Sequence, residues 1–169
     1  MKTMIYFLFL FSLSVGCSTQ TDCGCLPTGE KVEFYLLKSY NTIPSSHFTI
    51  ADAVIENESF IAFKDIESYD DTTYEFTLKK AAIDRIRPIY EPKAFAVTVD
   101  REIIYTGYFR QSFLSSSCDC IRIDPQSGLL NENKIWIELG YAPSRDLSDM
   151  DKRNDAVLLA TLARAGKLR

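Results

Sequence analysis

Apolar and polar residues alternate with a period of two in several short segments, a pattern typical of strands that bury one face. In AFAVTVDREIIYTGYF, two such segments flank Asp100 and Arg101, so this stretch predicts a β-hairpin with Phe95, Val97 and Val99 on one side. A strand KIWIELGY is predicted near the C-terminus, with Ile135, Ile137 and Leu139 on one face and Trp136 on the other. The other predicted strands lie within residues 30–40, 60–70, 72–80 and 118–124.

Two segments have helical patterns instead. The stretch KKAAIDRIR predicts a short helix that Pro88 ends, and residues 50–56 favour one further helical turn. The C-terminal DLSDMDKRNDAVLLATLARAGKLR predicts an amphipathic helix with Ser148 as N-cap and Gly166 as its end. Its Leu158, Leu159 and Leu162 are expected to pack on a sheet. Residues 30–169 therefore predict a single α+β domain of six or seven largely antiparallel strands with two or three helices.

The N-terminus has the pattern of a secretory signal peptide. Lys2 supplies a positive charge, residues 4–15 are mostly apolar, and small residues follow at Ser14 and Gly16. The apolar stretch is shorter than the roughly 20 residues that a membrane-spanning helix needs. We expect residues 1–16 to be a signal peptide that is removed.

The residues SVGC at the end of this leader resemble the lipobox of bacterial lipoproteins. The resemblance implies cleavage before Cys17, a diacylglycerol and a palmitate-type acyl chain on that cysteine, and a lipidated tether over residues 17–29. It places the protein in the cell envelope, lipid-anchored outside the cytoplasm, and the outer membrane is the favoured membrane because Ser18 rather than Asp follows the cysteine. One alternative is cleavage by the ordinary signal peptidase, which would release a secreted soluble protein, and another is an uncleaved N-terminal anchor.

The chain has five cysteines, and lipidation of Cys17 leaves two matched pairs, Cys23 with Cys25 and Cys118 with Cys120. Cysteines two apart in a strand point to the same side, so two such segments side by side favour structural disulfides between the pairs. Antiparallel and parallel pairing both fit. Closing each pair on itself requires a turn, because same-face Cβ atoms in a regular strand are roughly 7 Å apart. Metal binding or redox chemistry at the two pairs is the alternative.

The middle of the chain carries a second resemblance. FKDIESYDDTTYEFTLKKAAIDRI followed by AFAVTVDREIIYTGYF is distantly similar to the periplasmic head subdomain of the SecD translocation partner, and is more similar to extracytoplasmic lipoproteins of unassigned function. The similarity covers about a third of the chain and implies a small α+β module. It carries no chemical motif.

Charge and motifs exclude several functions. A net charge of −4 and a pI near 5.1 argue against a nucleic-acid partner. His47 is the sole histidine and stands beside two serines without a nucleophile elbow, so no catalytic triad is indicated. The acidic cluster between Asp65 and Asp71 reads as a solvated strand edge and turn. No catalytic, cofactor-binding or metal-binding residues are predicted, and no cofactor.

Aromatic residues near an arginine are the best candidates for a binding patch: Tyr105, Tyr108, Phe109, Arg110 and Phe113. We therefore expect a non-enzymatic, membrane-anchored lipoprotein that binds a protein or peptide at a sheet edge. The first alternative is a thiol-dependent metal carrier or redox protein that uses the two CxC pairs. A hydrolase based on Asp and Glu is the second.

Overall fold

A computed structural model describes residues 30–43, 49–143 and 146–169, and these residues contain nine strands and two α-helices. The helices are α1 (Lys80–Ile86) and α2 (Ala156–Arg164). The protein is an α+β fold, as the sequence predicts. The strands are β1 (Val32–Thr42), β2 (Ile50–Ile55), β3 (Ile66–Asp70), β4 (Glu75–Leu78), β5 (Lys93–Val99), β6 (Glu102–Phe109), β7 (Cys118–Ile123), β8 (Lys134–Trp136) and β9 (Glu138–Tyr141).

The strands form two sheets. The larger has six strands in the order β2-β1-β5-β6-β7-β9, and the smaller has the order β3-β4-β8. Adjacent strands are antiparallel except β6 and β7, which are parallel. Because β6 and β7 run in the same direction, the chain has to return from the end of β6 to the beginning of β7, and residues 110–117 make this connection. The sheets are therefore largely antiparallel, with one parallel pair inside the larger sheet.

The main core lies between one face of the large sheet, the small sheet and α2. Phe34 of β1 packs edge-on against Phe76 of β4, with ring centroids 5.2 Å apart, which joins the two sheets. Phe95 and Phe109 continue this aromatic layer on β5 and β6. The predicted hairpin around Asp100 and Arg101 supplies much of this face, and Phe95, Val97 and Val99 all lie in the core.

The opposite face of the large sheet is covered as well. β1 pairs with β5 in its first half and with β2 in its second half. Leu37 and Ile50 of these strands pack against a smaller buried cluster made of Ala94, Tyr108, Cys118 and Cys120. The ring of Tyr40 contacts that of Tyr108, with centroids 6.1 Å apart. The large sheet thus has two buried faces rather than one.

The C-terminal helix packs as predicted but begins later. Leu158 and Leu162 are buried in the main core, and Leu159 packs against it. The N-cap is Asp155, whose carboxylate accepts a hydrogen bond from the Val157 backbone N–H at 2.9 Å. Ser148, the predicted cap, belongs to a separate 3-10 turn. The chain leaves the helix through Gly166, whose φ of +66° suits a residue without a side chain.

Two further elements differ from prediction. The helical turn expected at residues 50–56 is wrong, because this segment forms β2 and pairs with β1. The strand predicted over residues 134–141 is divided between the sheets as β8 and β9. At the division, the Ile137 backbone N–H donates to the Tyr74 carbonyl at 3.0 Å, outside either ladder. The apolar alternation survives the division, since Ile135, Ile137 and Leu139 all face the main core.

Candidate functional site

Strands β6 and β7 meet over only part of their length. β6 pairs with β5 from Glu102 to Phe109. β7 joins the other side of β6 only at Gly107, Tyr108 and Phe109. Before Gly107, no other strand in the described part of the chain pairs with this side of β6. Within this unpaired edge, residues 104–106 face a cleft in the middle of the sheet.

The cleft holds a cavity of about 200 Å³. Residues 104–108 of β6 form one wall, and Cys120 and Ile121 of β7 form the opposite wall. Thr49 and Ile50 close one side, while Met150 and Lys152 stand at another. Pockets for drug-sized molecules are about 300 to 1,000 Å³, so this cavity suits one or two side chains better than a whole metabolite.

Gly107 determines where the cleft ends. A Cβ atom at this position would lie 2.5 Å from the Ile121 carbonyl oxygen and 2.8 Å from Cζ of Phe95. Real Cβ atoms do not approach backbone atoms so closely, so β7 comes into hydrogen-bonding distance of β6 only because residue 107 has no side chain. The paired part of the two strands begins at this glycine, and the cleft lies before it.

A β-bulge in β7 contributes to the divergence. Cys118 pairs with Tyr141 of β9, and Ile121 pairs with Leu139, so three steps along β7 match two along β9. A bulge bends the strand that carries the extra residue. Here the bend lies beside the cleft wall, at Cys118 and Cys120, whose Cα atoms are 5.2 Å apart and whose sulfurs are in contact.

The segment that carries Met150 and Lys152 is held by an ion pair between its neighbours. Arg153 donates to the Asp151 carboxylate from Nε at 2.8 Å and from Nη2 at 2.7 Å. Its guanidinium also lies 3.7 Å from the ring centroid of Tyr74. The hydrogen bonds from Arg153 hold the pKa of Asp151 below its ordinary value. Lys152 is thus exposed at the cleft on a well-anchored segment.

The cleft has one formal charge. Of the described residues that line it, Lys152 alone carries a charge at neutral pH. Burial raises the pKa of the Tyr105 phenol well above its usual range, and burial also raises that of Tyr108. Both tyrosines are therefore neutral. The Tyr105 hydroxyl has no hydrogen-bond partner in the described part of the chain. The cleft combines apolar and neutral polar walls with a cation at its edge.

The predicted aromatic patch does not form one exposed surface. Tyr105, Tyr108, Phe109 and Arg110 are all buried, and only Phe113 is exposed, at 73%. The strand alternation places these side chains on both faces of β6, and both faces are covered. Arg110 lies beneath the connection to β7 and donates to the Ser116 carbonyl. Two members of the patch, Tyr105 and Tyr108, do line the cleft, which the alternation alone does not indicate.

A buried polar cluster lies beyond the paired part of β6 and β7. Arg122 of β7 forms an ion pair with Glu138 of β9, and its guanidinium lies 4.8 Å from the ring centroid of Tyr141. The pKa of Glu138 is raised overall, because the effect of burial exceeds the opposing effect of the Arg122 charge. Arg122 also donates to the Ser112 hydroxyl at 3.2 Å. These contacts tie β7 to β9 and to the β6–β7 connection, which is a structural role.

Asp65, predicted to be solvated, is buried and accepts a hydrogen bond from Arg85 at 2.6 Å. Asp70, from the same acidic cluster, bonds the backbone N–H groups of Thr72 and Thr73 in a turn. Both carboxylates therefore stabilise the local fold, Asp65 through its pair with Arg85 and Asp70 by accepting hydrogen bonds within a turn. In the described ranges, no group of three or more His, Cys, Asp or Glu side chains is placed to hold a metal ion.

Several predictions fall on residues outside the described ranges: Cys17, Cys23, Cys25 and His47. The signal peptide, the lipid anchor and the disulfides that join the two cysteine pairs therefore stay predictions. In the ranges that are described, no helix is long and apolar enough to span a membrane.

No protein-family model matches the chain, and neither a curated protein nor a solved structure is significantly similar to it. The resemblances to bacterial lipoproteins and to the SecD head subdomain thus stay predictions, and the geometry of the cleft carries the functional argument.

Proposed function

We propose that the protein is a non-enzymatic, lipid-anchored module of the bacterial cell envelope that binds an extended peptide segment in the cleft between β6 and β7. The observation that carries this proposal is the side of β6 over residues 104–106, which no described strand pairs with and which faces a cavity inside a sheet. Strand edges bind extended peptides through backbone hydrogen bonds, and neighbouring pockets select their side chains.

The cleft favours a particular kind of peptide. Every residue other than proline offers one backbone donor and one acceptor, so a segment lying along residues 104–106 would extend the sheet locally. The volume of about 200 Å³ suits an apolar side chain of ordinary size. Lys152 favours a carboxylate beside that side chain, since exposed opposite charges attract weakly but measurably. The proposed ligand is an extended segment with one apolar residue next to an acidic one.

A competition between two synthetic peptide series tests this specificity. Each peptide is about eight residues long, within the usual length of a strand, and alternates Thr with Val around a central Leu. One series carries Asp beside the Leu, and the other carries Lys. We expect tighter binding of the Asp series in fluorescence anisotropy. In the Lys152→Glu variant this preference reverses, by about two- to five-fold for a single exposed charge.

Lys93→Glu is the matched control, because Lys93 is exposed and pairs with Phe109 at the far end of β6. If the Lys152→Glu and Lys93→Glu variants lose the preference for the Asp series to the same extent, a specific role for Lys152 is contradicted.

A second variant tests whether the cleft itself binds. Met150→Trp places a large ring at the cleft, and we expect it to weaken peptide binding about ten-fold or more, a change of about 1.4 kcal/mol. Val157→Trp on the exposed side of α2 is the control, since Val157 is 45% exposed and is not among the cleft-lining residues. Unchanged affinity in a folded Met150→Trp variant refutes the cleft as the binding site.

The envelope location is a separate part of the proposal, with its own test. It is supported by the leader over residues 1–16 and by the lipobox-like SVGC before Cys17. We expect the full chain to fractionate with membranes and its N-terminal peptide to carry the mass of the lipid on Cys17. A Cys17→Ala variant is expected in the soluble fraction. Soluble wild-type protein with an unmodified Cys17 supports the secreted alternative.

One observation favours the thiol-based alternative. The sulfurs of Cys118 and Cys120 are in contact, and Cys120 lines the cleft. A redox protein is expected to cycle this pair reversibly with a dithiol reductant, and a metal carrier to copurify with zinc or copper(I). Metal analysis and thiol counting on native protein distinguish both from the peptide-binding proposal.

A further inference from the structure

We infer that Cys118 and Cys120 form a disulfide with each other inside β7, so that the cysteine pair at positions 23 and 25 is not bonded to the sheet. This inference does not rest on the proposed peptide-binding function. It differs from the pairing that the sequence favours, in which the two CxC motifs are joined to each other. The structure supports it by the geometry of the bulge and by the burial of the two sulfurs.

The bulge supplies the geometry that a regular strand lacks. Residues two apart in a regular strand are more than 6 Å apart at Cα, and their Cβ atoms are too distant for a disulfide. The extra residue between Cys118 and Ile121 shortens β7 locally, and the Cα atoms of Cys118 and Cys120 are 5.2 Å apart. That separation lies within the usual disulfide range of about 4.4 to 6.8 Å. The bulge therefore brings the two cysteines as close together as a turn would, which is what a disulfide within a CxC motif requires.

Burial argues against a bond to the N-terminal pair. Cys118 and Cys120 are both buried, in a cluster with Ala94 and Tyr108 against which Leu37 and Ile50 pack. A sulfur from residue 23 or 25 would have to enter this packed cluster to reach either cysteine. Protein interiors are too densely packed to admit such a group without displacing side chains. The pair within β7 needs no rearrangement.

The chemistry is a two-electron oxidation. The two S–H bonds break and one S–S bond forms, with loss of two protons and two electrons. The electrons pass to the disulfide of a thiol oxidase through a mixed disulfide, and that disulfide becomes a dithiol. Oxidising compartments outside the cytoplasm favour this reaction. The product locks the bulge of β7 and with it one wall of the cleft.

A non-reducing peptide map of the full chain tests the pairing. The protein is unfolded in denaturant that contains N-ethylmaleimide, so that buried free thiols are also blocked, and is then digested with trypsin. Residues 111–122 then form one peptide that contains Cys118 and Cys120, while Cys23 and Cys25 lie in the peptide that ends at Lys31. We expect the 111–122 peptide as a single peptide with an internal disulfide. It is then two hydrogen atoms lighter than its dithiol, carries no maleimide adduct and is not crosslinked to another peptide. A crosslinked species that joins the two peptides overturns the inference, and so does a doubly labelled 111–122 peptide.

A pair of double variants gives a second readout. We expect the melting temperature to be lower in Cys118→Ser/Cys120→Ser than in wild type, and to be unaffected by a reductant in that variant. In Cys23→Ser/Cys25→Ser, we expect the wild-type melting temperature and the wild-type response to reductant. If the Cys118→Ser/Cys120→Ser variant does not fold, the peptide map of Cys23→Ser/Cys25→Ser decides the question. A loss of the intact 111–122 disulfide in that map overturns the inference.

Discussion

Replacing Gly107 by alanine tests whether β6 and β7 approach as closely as the structure has them. The new Cβ atom would lie 2.5 Å from the Ile121 carbonyl oxygen and 2.8 Å from Cζ of Phe95. The first contact is with backbone, and the second is with a fully buried ring, so neither partner moves away easily. Overpacking of this kind costs about 1 to 3 kcal/mol. The alanine also restricts the unfolded chain, which offsets about 0.4 to 1 kcal/mol.

The expected result for Gly107→Ala is a net loss of about 0 to 2.6 kcal/mol in the free energy of unfolding. The measurement is urea unfolding followed by circular dichroism and by the fluorescence of Trp136, the single tryptophan. Loss of the β6–β7 pairing also predicts faster amide hydrogen exchange at residues 107–109 and 121–123, because the parallel pair has only these residues.

Gly128→Ala is the matched control, because no atom lies within 4 Å of a Cβ at Gly128. We expect this variant to be as stable as wild type or slightly more stable, by less than about 1 kcal/mol. Equal stability of the Gly107 and Gly128 variants, with unchanged hydrogen exchange, refutes the close approach of the two strands and with it the boundary of the cleft.

Two further substitutions address the segment between the cleft and α2. Asp155→Ala removes the carboxylate that caps α2, and calorimetry is expected to show a loss of about 0.5 to 2 kcal/mol. Asp151→Asn removes the charge that pairs with Arg153, and chemical unfolding at neutral pH is expected to show a loss of about 1 to 3 kcal/mol. Because the folded protein lowers the pKa of Asp151, this contribution is present above the unfolded pKa and is lost as pH falls through the folded pKa. Wild type and Asp151→Asn should therefore begin to converge in stability as pH falls below about 4 and should meet only below the folded pKa of Asp151; a difference that does not shrink in acid contradicts an ionic role for Asp151.

Local patterns predicted those parts of the fold that depend on neighbouring residues. The hairpin of β5 and β6 follows from two alternating segments around Asp100 and Arg101, both of which adopt positive φ in the turn. Helix α1 ends at Ile86, with Arg87 as its C-cap directly before Pro88, close to the end that the pattern predicts. Because each of these elements forms within a short stretch of chain, one sequence was enough to identify it.

The cleft depends on contacts between distant segments, and the sequence did not predict it. Nothing in the residues of β6 indicates that β7 runs parallel to it or that the two strands pair only from Gly107 onward. The predicted aromatic patch is buried for a related reason, because the β1–β2 hairpin and the β6–β7 connection cover the second face of the sheet.

If the protein is lipid-anchored as proposed, a disulfide confined to β7 changes how far the domain can stand from the membrane. If Cys23 or Cys25 were bonded to the sheet, the sheet would be held within about six to eight residues of a lipid on Cys17, at most about 20 to 30 Å. With the pair at Cys118 and Cys120 closed on itself, thirteen peptide steps separate Cys17 from Glu30, where the described structure begins. A segment of this length spans at most about 45 Å when fully extended. This is somewhat more than the diameter of about 35 to 40 Å expected for a domain of this size. The cleft could then reach ligands a full domain width away from the bilayer surface.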